Sequence, residues 1–298
     1  MKLKLNKKII EDKNLSNNAI LSYIGLVACS KLDYNPIFIN RSMISYYLTG
    51  NTKPVRRFDE SLKLGLKELI DNKVIDCYEQ NSTNYYFGTK NIRLEQEDIF
   101  VFVDFDDVRK IMQCDYHGKI CLLRFYIATL GTFLSKNKII DIRDPEKYNN
   151  VLGTMSQEYL ANLIGISLHT SMEYTKILEQ LELLYISRCS YIFKDKKGNF
   201  KRHNNIYGNY KNKEIIDDYM KVRYEMYDEL HKVHTSKAAN NSRSLIQKYN
   251  QMVRGHKYDN ETVKDIYDYI CKYNKEHSKN CKDMSVFVQY GYNIDDYN

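Results

Sequence analysis

The stretch Met155-Ser-Gln-Glu-Tyr-Leu-Ala-Asn-Leu-Ile-Gly-Ile-Ser-Leu-His-Thr170 predicts two helices joined by a tight turn. Ser156 can cap the first helix by accepting a hydrogen bond from a backbone N–H of its first turn. Gly165 ends that helix and supplies the turn. Ser167 then starts a longer helix, which we expect to run to about Leu184. The core-facing residues of the first helix are Leu160, Ala161 and Ile164.

The longer helix has one apolar side and one polar side. Helical spacing places five residues on the apolar side: Tyr174, Ile177, Leu178, Leu181 and Leu184. In a helix-turn-helix, the second helix enters the DNA major groove by its N-terminal end. The opposite side therefore holds the candidate contacts to bases and phosphates, which are His169, Thr170, Met172, Glu173, Lys176 and Gln180.

Residues 119–209 resemble the winged-helix DNA-binding domains of bacterial regulators and replication initiators. The resemblance rests on the pattern Ser-Gln-Glu-x-Leu-Ala-x-Leu-Ile-Gly-Ile-Ser, which begins at Ser156. It implies a preceding apolar helix, here 119–134, and a two-stranded wing behind the second helix. The matched second helix has one basic residue, Lys176, in its first half, whereas many relatives have several.

A basic hairpin follows the second helix and matches the expected wing. Two strand-like runs, 185–193 and 200–207, flank the turn Lys194-Asp-Lys-Lys-Gly-Asn199. Such a hairpin can lie along a phosphate backbone or reach a minor groove. An ordinary solvated turn is the alternative. The basic residues at and beside the tip are Lys194, Lys196, Lys197, Lys201 and Arg202.

The N-terminal third of the chain predicts the same order of elements. We expect helices over 16–31, 42–48 and 54–71, a strand over 36–39, and a hairpin formed by 74–80 and 85–89. A strand over 99–105 and a short helix over 106–112 then precede the helix at 119. The repeat is one of architecture, since residue-level similarity between the copies is weak.

The third helix of this first module, 54–71, corresponds to the helix that starts at Ser167 in the second module, and it is the more basic of the two. Lys53, Arg56, Arg57, Lys63 and Lys67 fall away from its apolar stripe, which contains Val55, Phe58, Leu62, Leu66 and Leu69. Arginine can bind guanine through two hydrogen bonds. The start of the preceding helix, with Arg41, could bind phosphate through backbone N–H groups. The alternative is a protein-binding surface, because one winged helix of a tandem initiator often dimerises.

The fold class expected is mainly α with small β-hairpin wings, that is, α+β. We assign an N-terminal winged-helix domain to 1–98, a second to 99–210 and a helical C-terminal region with a polar tail to 211–298. The C-terminal helices read as packing or self-association elements. The low counts of 3 Pro and 12 Gly favour a mainly helical protein.

Composition and charge favour a soluble, cytoplasmic protein. A net charge of +7 permits an acidic partner such as nucleic acid. The seven cysteines are odd in number and form no Cys-x-x-Cys pair, so a reducing compartment fits best. No signal peptide is recognisable, and no apolar run reaches the roughly 20 residues needed to span a bilayer.

The motifs of common enzyme classes are missing from the sequence. There is no phosphate-binding Gly-x-x-x-x-Gly-Lys loop, no His-x-His pair, no His-Glu-x-x-His and no Gly-x-Ser-x-Gly. Two groups, Cys114–His117–Cys121 and Cys271–His277–Cys281, could approach zinc, but each lacks a fourth ligand and the usual finger spacing. We therefore expect no enzymatic activity, no metal and no cofactor.

The functional hypothesis is sequence-specific binding of double-stranded DNA, most directly as a replication initiator of a plasmid, phage or conjugative element. The two modules have no sensor domain between them. The Lys- and Asn-rich composition resembles that of proteins encoded by the accessory genomes of low-GC bacteria. The resemblance implies host replication proteins as partners, and a homodimer through the first winged helix or the C-terminal helices. The alternatives are a transcriptional regulator of a mobile element and a non-catalytic assembly factor that binds protein.

Overall fold

The computed structural model describes residues 1–30, 36–81, 83–94, 98–134, 144–188, 191–194, 200–202, 204–225 and 230–232. Its helices are α1 Lys7–Glu11, α2 Asn17–Cys29, α3 Arg41–Thr49, α4 Arg56–Asp71, α5 Phe105–Gln113, α6 Lys119–Leu130, α7 Gln157–Ile164, α8 Leu168–Gln180 and α9 Lys213–Glu225. Its strands are β1 Lys2–Asn6, β2 Ile37–Asn40, β3 Cys77–Asn81, β4 Asn84–Phe87, β5 Phe100–Asp104, β6 Leu152–Thr154, β7 Leu184–Ser187, β8 Tyr191–Lys194, β9 Phe200–Arg202, β10 Ile206–Asn209 and β11 Leu230–Lys232.

The fold is a mixed α+β arrangement of helices and small antiparallel sheets, as the sequence predicts at this level. The chain divides into two compact units, Met1–Leu230 and His231–Asn298. Nearly all described residues belong to the first unit. Most of the predicted helical C-terminal region, from 233 onward, lies outside the described residues. Among the residues described, no helix has both the length and the apolar character needed to cross a bilayer.

One order of elements occurs twice within Met1–Leu230. The first copy is α2, β2, α3, α4, β3 and β4, and the second is α6, β6, α7, α8, β7 and β10. The strands of each copy form a three-stranded sheet with the last strand in the middle, in the orders β2-β4-β3 and β6-β10-β7. A strand–helix pair precedes each copy, β1–α1 in one case and β5–α5 in the other.

The two copies are joined by a strand pair that the sequence analysis did not predict. β1 and β5 pair antiparallel, from Lys2 opposite Asp104 to Asn6 opposite Phe100. Leu3 and Leu5 are fully buried, while the ammonium of Lys4 lies 4.2 Å from the centre of the Phe100 ring. The alternation of Lys and Leu is therefore the signature of a half-buried strand.

A single hydrophobic core spans both copies. Every residue from Ala19 to Cys29 of α2 is buried, and so is every residue from Leu122 to Thr129 of α6. Both helices are thus enclosed on all sides, as central helices of a shared core are. The predicted domain boundary at 98/99 falls between β4 and β5, but side chains on both sides of it belong to this one cluster.

A buried arginine also ties the copies together. Arg124 of α6 donates hydrogen bonds to the carbonyl oxygens of Ile10, Asp12 and Leu15, at 2.9, 2.6 and 2.9 Å. These carbonyls belong to α1 and to the turn that leads into α2. Burial lowers the pKa of Arg124 from its ordinary value. The guanidinium exchanges water for backbone acceptors, which is the condition for burying a charged group.

Helix α9 packs on the second copy. Its residues Ile216, Tyr219 and Met220 form a small cluster with Leu152 of β6 and Ile206 of β10. The sequence assigns this helix to a separate C-terminal region from 211, whereas it lies in the compact unit that ends at Leu230. Strand β6 was not predicted, because three residues are too short to show a periodicity.

Candidate nucleic-acid interface

The first helix pair consists of α3 and α4. Asn40 caps α3, since its side-chain oxygen accepts a hydrogen bond from the N–H of Ser42 at 2.8 Å. Gly50 ends the helix in the left-handed region, with φ of 84°, and donates its N–H to Tyr46 at 2.8 Å. The turn that follows leads to Val55, after which α4 begins. Pro54 therefore precedes the helix instead of occupying its first position.

Close packing against α2 fixes which side of α4 is exposed. Leu62, Leu66 and Leu69 are fully buried. A Cβ atom at Gly65 would lie 2.1 Å from the carbonyl oxygen of Asn18, so the backbones of α2 and α4 touch there. The opposite side of α4 must face away from the core.

Four of the predicted cations lie on this exposed side or in the turn before it. They are Lys53, Arg56, Arg57 and Lys63, and all are exposed. Within the part of the chain that the structure describes, none of their side chains forms a salt bridge or hydrogen bond. Lys67, one helical turn beyond Lys63, is exposed as well. The first helix pair thus presents a row of cations without acidic partners from the fold.

Arg41 has a structural role and must be removed from the candidate interface. The residue is only 8% exposed, and its guanidinium holds the Asp59 carboxylate through two hydrogen bonds of 2.8 and 3.1 Å. It also donates to the hydroxyl of Tyr85 at 3.3 Å. Its backbone N–H donates to the carbonyl of Thr83 and that of Ser42 to the side chain of Asn40, so two of the N–H groups expected to bind phosphate at the start of α3 have partners within the protein.

The second helix pair consists of α7 and α8, and its caps match the prediction. The Ser156 hydroxyl accepts from the N–H of Tyr159 at 3.1 Å, and the Ser167 hydroxyl accepts from that of Thr170 at 3.0 Å. Gly165 is left-handed, with φ of 73°. Because each feature depends on only a few neighbouring residues, the sequence alone was sufficient to predict them.

A small polar cluster joins α7 to α8. The hydroxyl of Ser171 donates to the side-chain oxygen of Gln157 at 2.8 Å, and the Gln157 amide donates to the hydroxyl of Thr175 at 3.1 Å. Ser171 and Thr175 are buried. This cluster occupies the place that the Arg41–Asp59 ion pair occupies in the first helix pair, so the second pair is fixed without charge.

The exposed side of α8 is more apolar than the sequence analysis anticipated. His169 and Lys176 are exposed as predicted, while Thr170 is half-buried with its hydroxyl 2.8 Å from that of Ser167. Leu168 and Met172 are each 48% exposed. Leu168 was missed because an apolar residue at a helix start reads as a core position. The residues of α8 that face outward therefore include two apolar side chains and one lysine.

The predicted wing is two short strands that pair with each other. In the β8–β9 hairpin, Lys194 lies opposite Phe200 and Phe193 lies opposite Lys201, while Ile192 lies opposite Arg202. The sequence predicts each wing strand as one long run, but the structure divides them into β7 and β8, and into β9 and β10. Lys196 and Lys197 lie outside the described residues.

Of the two Cys–His groups noted in the sequence, only the first lies among the described residues. Among the residues described, no three His, Cys, Asp or Glu side chains come together as metal ligands would. This includes Cys114, His117 and Cys121. The second group, Cys271, His277 and Cys281, lies outside the described residues.

Comparison of the chain with protein-family models, with curated protein sequences and with solved structures gave no match.

Proposed function

We propose that this chain binds double-stranded DNA through two winged helix-turn-helix modules that act as one body. The observation that carries the proposal is the repeated arrangement in which a helix pair precedes a two-stranded hairpin, together with the exposed cations at the start of α4. A three-stranded sheet with its last strand in the middle, as in β2-β4-β3 and β6-β10-β7, is what a winged helix requires.

The first module would read DNA with the first turn of α4. The positive end of the α4 helix dipole and the guanidinium groups of Arg56 and Arg57 would both attract negatively charged DNA there. A second helix of this type contacts base edges with its N-terminal residues, and arginine pairs with guanine through two hydrogen bonds. Lys63 and Lys67, further along the same helix, are suited to phosphates.

The second module would read DNA in another way. Leu168 and Met172 offer apolar surface at the start of α8, and apolar side chains in the major groove contact the methyl group of thymine. His169 and Lys176 add polar contacts on the same helix. Most of the electrostatic attraction would then come from the wing, through Lys194, Lys201 and Arg202, and from Lys196 and Lys197 between its strands.

The shared core supports binding of both modules to one duplex. The β1–β5 pair, the packed α2 and α6 helices and the Arg124 hydrogen bonds oppose independent movement of the two copies. Two modules on a rigid frame recognise half-sites at a fixed separation, which is one helical turn of DNA or a multiple of it. We therefore propose a composite site with two parts, one read by each module.

Replication initiation is the task that we assign to this binding. Two DNA-binding modules with no sensor domain between them suit a protein that marks an origin, and host replication proteins would be recruited to the bound complex. The homodimer proposed from the sequence would form through the first module or the C-terminal region. A regulator would use the same modules, so the arrangement of target sites decides between the two tasks.

Selection from random duplex DNA with the full chain tests the binding proposal. We expect enrichment of a motif in two parts, about one helical turn apart. A pool that stays random after repeated rounds at low salt would contradict DNA reading by either module. Direct repeats of the motif beside the gene, and replication of a plasmid that carries gene and repeats, would support initiation. A single copy at a divergent promoter would instead indicate a regulator.

A further inference from the structure

Helix α5 and the turn after it, residues 114–118, connect the two helix pairs. Arg109 of α5 donates from Nε to the carbonyl oxygen of Tyr47 at 2.9 Å, and Gln113 donates to that of Thr49 at 3.2 Å. Both acceptors are carbonyls at the C-terminal end of α3, which have no partner within their own helix. The end of α5 is therefore fixed to the first helix pair.

The turn itself is fixed to the second helix pair. The hydroxyl of Tyr116 donates to the carboxylate of Glu173 on α8 at 3.1 Å. The ring of Tyr116 also meets that of Tyr174 edge to face, with centres 6.0 Å apart. Residues 114–118 thus begin at the end of a helix that is hydrogen-bonded to the first helix pair, and through Tyr116 they contact the second.

A cleft of about 770 Å³ opens between this turn and the start of α4. Val55, Arg57 and Phe58 line it on the α4 side, and His117 and Lys119 line it on the other. Asp115 is the one acidic residue among its described lining residues. His117 is exposed, and the ammonium of Lys119 has a single weak contact, to the carbonyl of Cys114 at 3.4 Å.

We propose that this cleft holds the sugar–phosphate backbone of one DNA strand, with His117 and Lys119 as phosphate contacts opposite Arg57. The inference rests on the proposed function, since it requires a duplex bound at α4. Three features favour a phosphodiester strand as the occupant: cations on both walls, the N-terminal end of α4 at one rim, and the neutral amide donors Asn18 and Asn51 along the lining.

This contact would fix the register of both modules on the duplex. A phosphate bound between the helix pairs would touch a turn that is hydrogen-bonded to α8 through Tyr116 and that directly follows Gln113, which is hydrogen-bonded to α3. Phosphate contacts position a protein on DNA without reading sequence. The strand in the cleft would be the segment between the two halves of the target motif.

Salt titrations with the full chain and a 40-base-pair duplex of mixed sequence test the proposal. Lys119→Gln should flatten the slope of log affinity against log salt by about 0.9, the value for one lost phosphate contact. His117→Ala should weaken binding without unfolding the protein, because the side chain is exposed. Asp115→Asn should strengthen binding, and a gain in affinity cannot arise from misfolding. The matched control is Lys110→Gln, an exposed lysine of α5 outside the cleft lining.

The outcomes separate this inference from the proposed function. If the unmodified chain does not bind the duplex at 50 mM salt, the proposed function fails and this inference fails with it. If the unmodified chain binds but His117→Ala, Lys119→Gln and Asp115→Asn all behave like Lys110→Gln, the cleft does not hold DNA. In that case DNA binding by α4 and the wing still stands. Equal melting temperatures of the variants ensure that slopes are compared between folded proteins.

Discussion

The two helix pairs share a layout but differ in what holds them together and in where their charge lies. Asn40 and Ser156 cap the first helices, and a buried apolar residue follows four positions later in each, Ile44 and Leu160. The first pair is locked by an ion pair and has cations on α4. The second is locked by uncharged hydrogen bonds, and most of the basic residues proposed as its contacts fall in the hairpin sequence from Lys194 to Arg202. The comparison indicates that one backbone arrangement can have its basic residues on the second helix in one copy and in the hairpin sequence in the other.

The largest effect is expected from breaking the core beneath either pair. Ile44→Asp and Leu160→Asp each place an unpaired carboxylate in a fully closed environment, which we expect to cost more than about 4 kcal/mol, much of a typical domain's stability. Because one cluster spans both copies, either variant should abolish the folding transition of the whole unit, as measured by calorimetry or circular dichroism.

The matched control for this prediction is Tyr159→Asp, next to Leu160 but 51% exposed. It should change stability by no more than about 0.5 kcal/mol. A Leu160→Asp protein in which the first copy still melts cooperatively would show that the two copies are separate folding units, contrary to the shared core.

The sequence predicted the elements whose signals are local. Ser16 caps α2 through the N–H of Ala19, and Ser156, Gly165 and Ser167 act as expected in the second pair. Their hydrogen bonds span only three or four residues, so the neighbouring amino acids in the sequence are enough to predict where each helix begins and ends. The helices and the repeated order of elements follow from such signals together with apolar periodicity.

What the sequence did not predict depends on residues far apart in the chain. β1 pairs with β5 across nearly 100 positions, and the alternation in Lys2–Leu5 has meaning only beside that in Phe100–Val103. Arg41 looked available for phosphate because its partner, Asp59, lies 18 positions away. The bridge between Tyr116 and Glu173 is likewise invisible in the sequence, and with it the cleft between the pairs.

The second prediction compares the two locks. Arg41→Met leaves the Asp59 carboxylate and the Tyr85 hydroxyl without their partner, and we expect a loss of about 2–3 kcal/mol, less than for a fully buried pair because Asp59 is partly exposed. Gln157→Ala should cost about 1–2 kcal/mol, since it removes hydrogen bonds between neutral groups. Chemical denaturation measures both.

Two further measurements sharpen this comparison. The double variant Arg41→Met with Asp59→Leu should recover part of the lost stability, because it removes the stranded charge. Arg41→Met should also bind duplex DNA normally at a temperature where it is folded, as Arg41 is not a contact. Weaker binding by a fully folded Arg41→Met protein would indicate that Arg41 does contact DNA.

The third prediction concerns reading by the first pair. Arg56→Ala should reduce discrimination between the selected motif and a scrambled duplex by about 1–3 kcal/mol, the contribution of one bidentate contact to guanine. Affinity for the scrambled duplex should fall much less. Competition binding measures the two affinities, with Lys110→Ala as the control for loss of an exposed cation. Unchanged discrimination would mean that α4 attracts DNA without reading it, or is a protein-binding surface.

The smallest effects are expected from single lysines of the wing. Lys194→Gln and Lys201→Gln each remove at most one phosphate contact, so each should flatten the salt slope by about 0.9 and weaken binding to every duplex about equally. Lys90→Gln, a half-exposed lysine that pairs with Asp76 at 4.0 Å, is the control and should change neither quantity. If a wing variant instead alters the selected motif, the hairpin reads bases. The contrast between a reading helix in the first module and a purely electrostatic wing in the second would then be wrong.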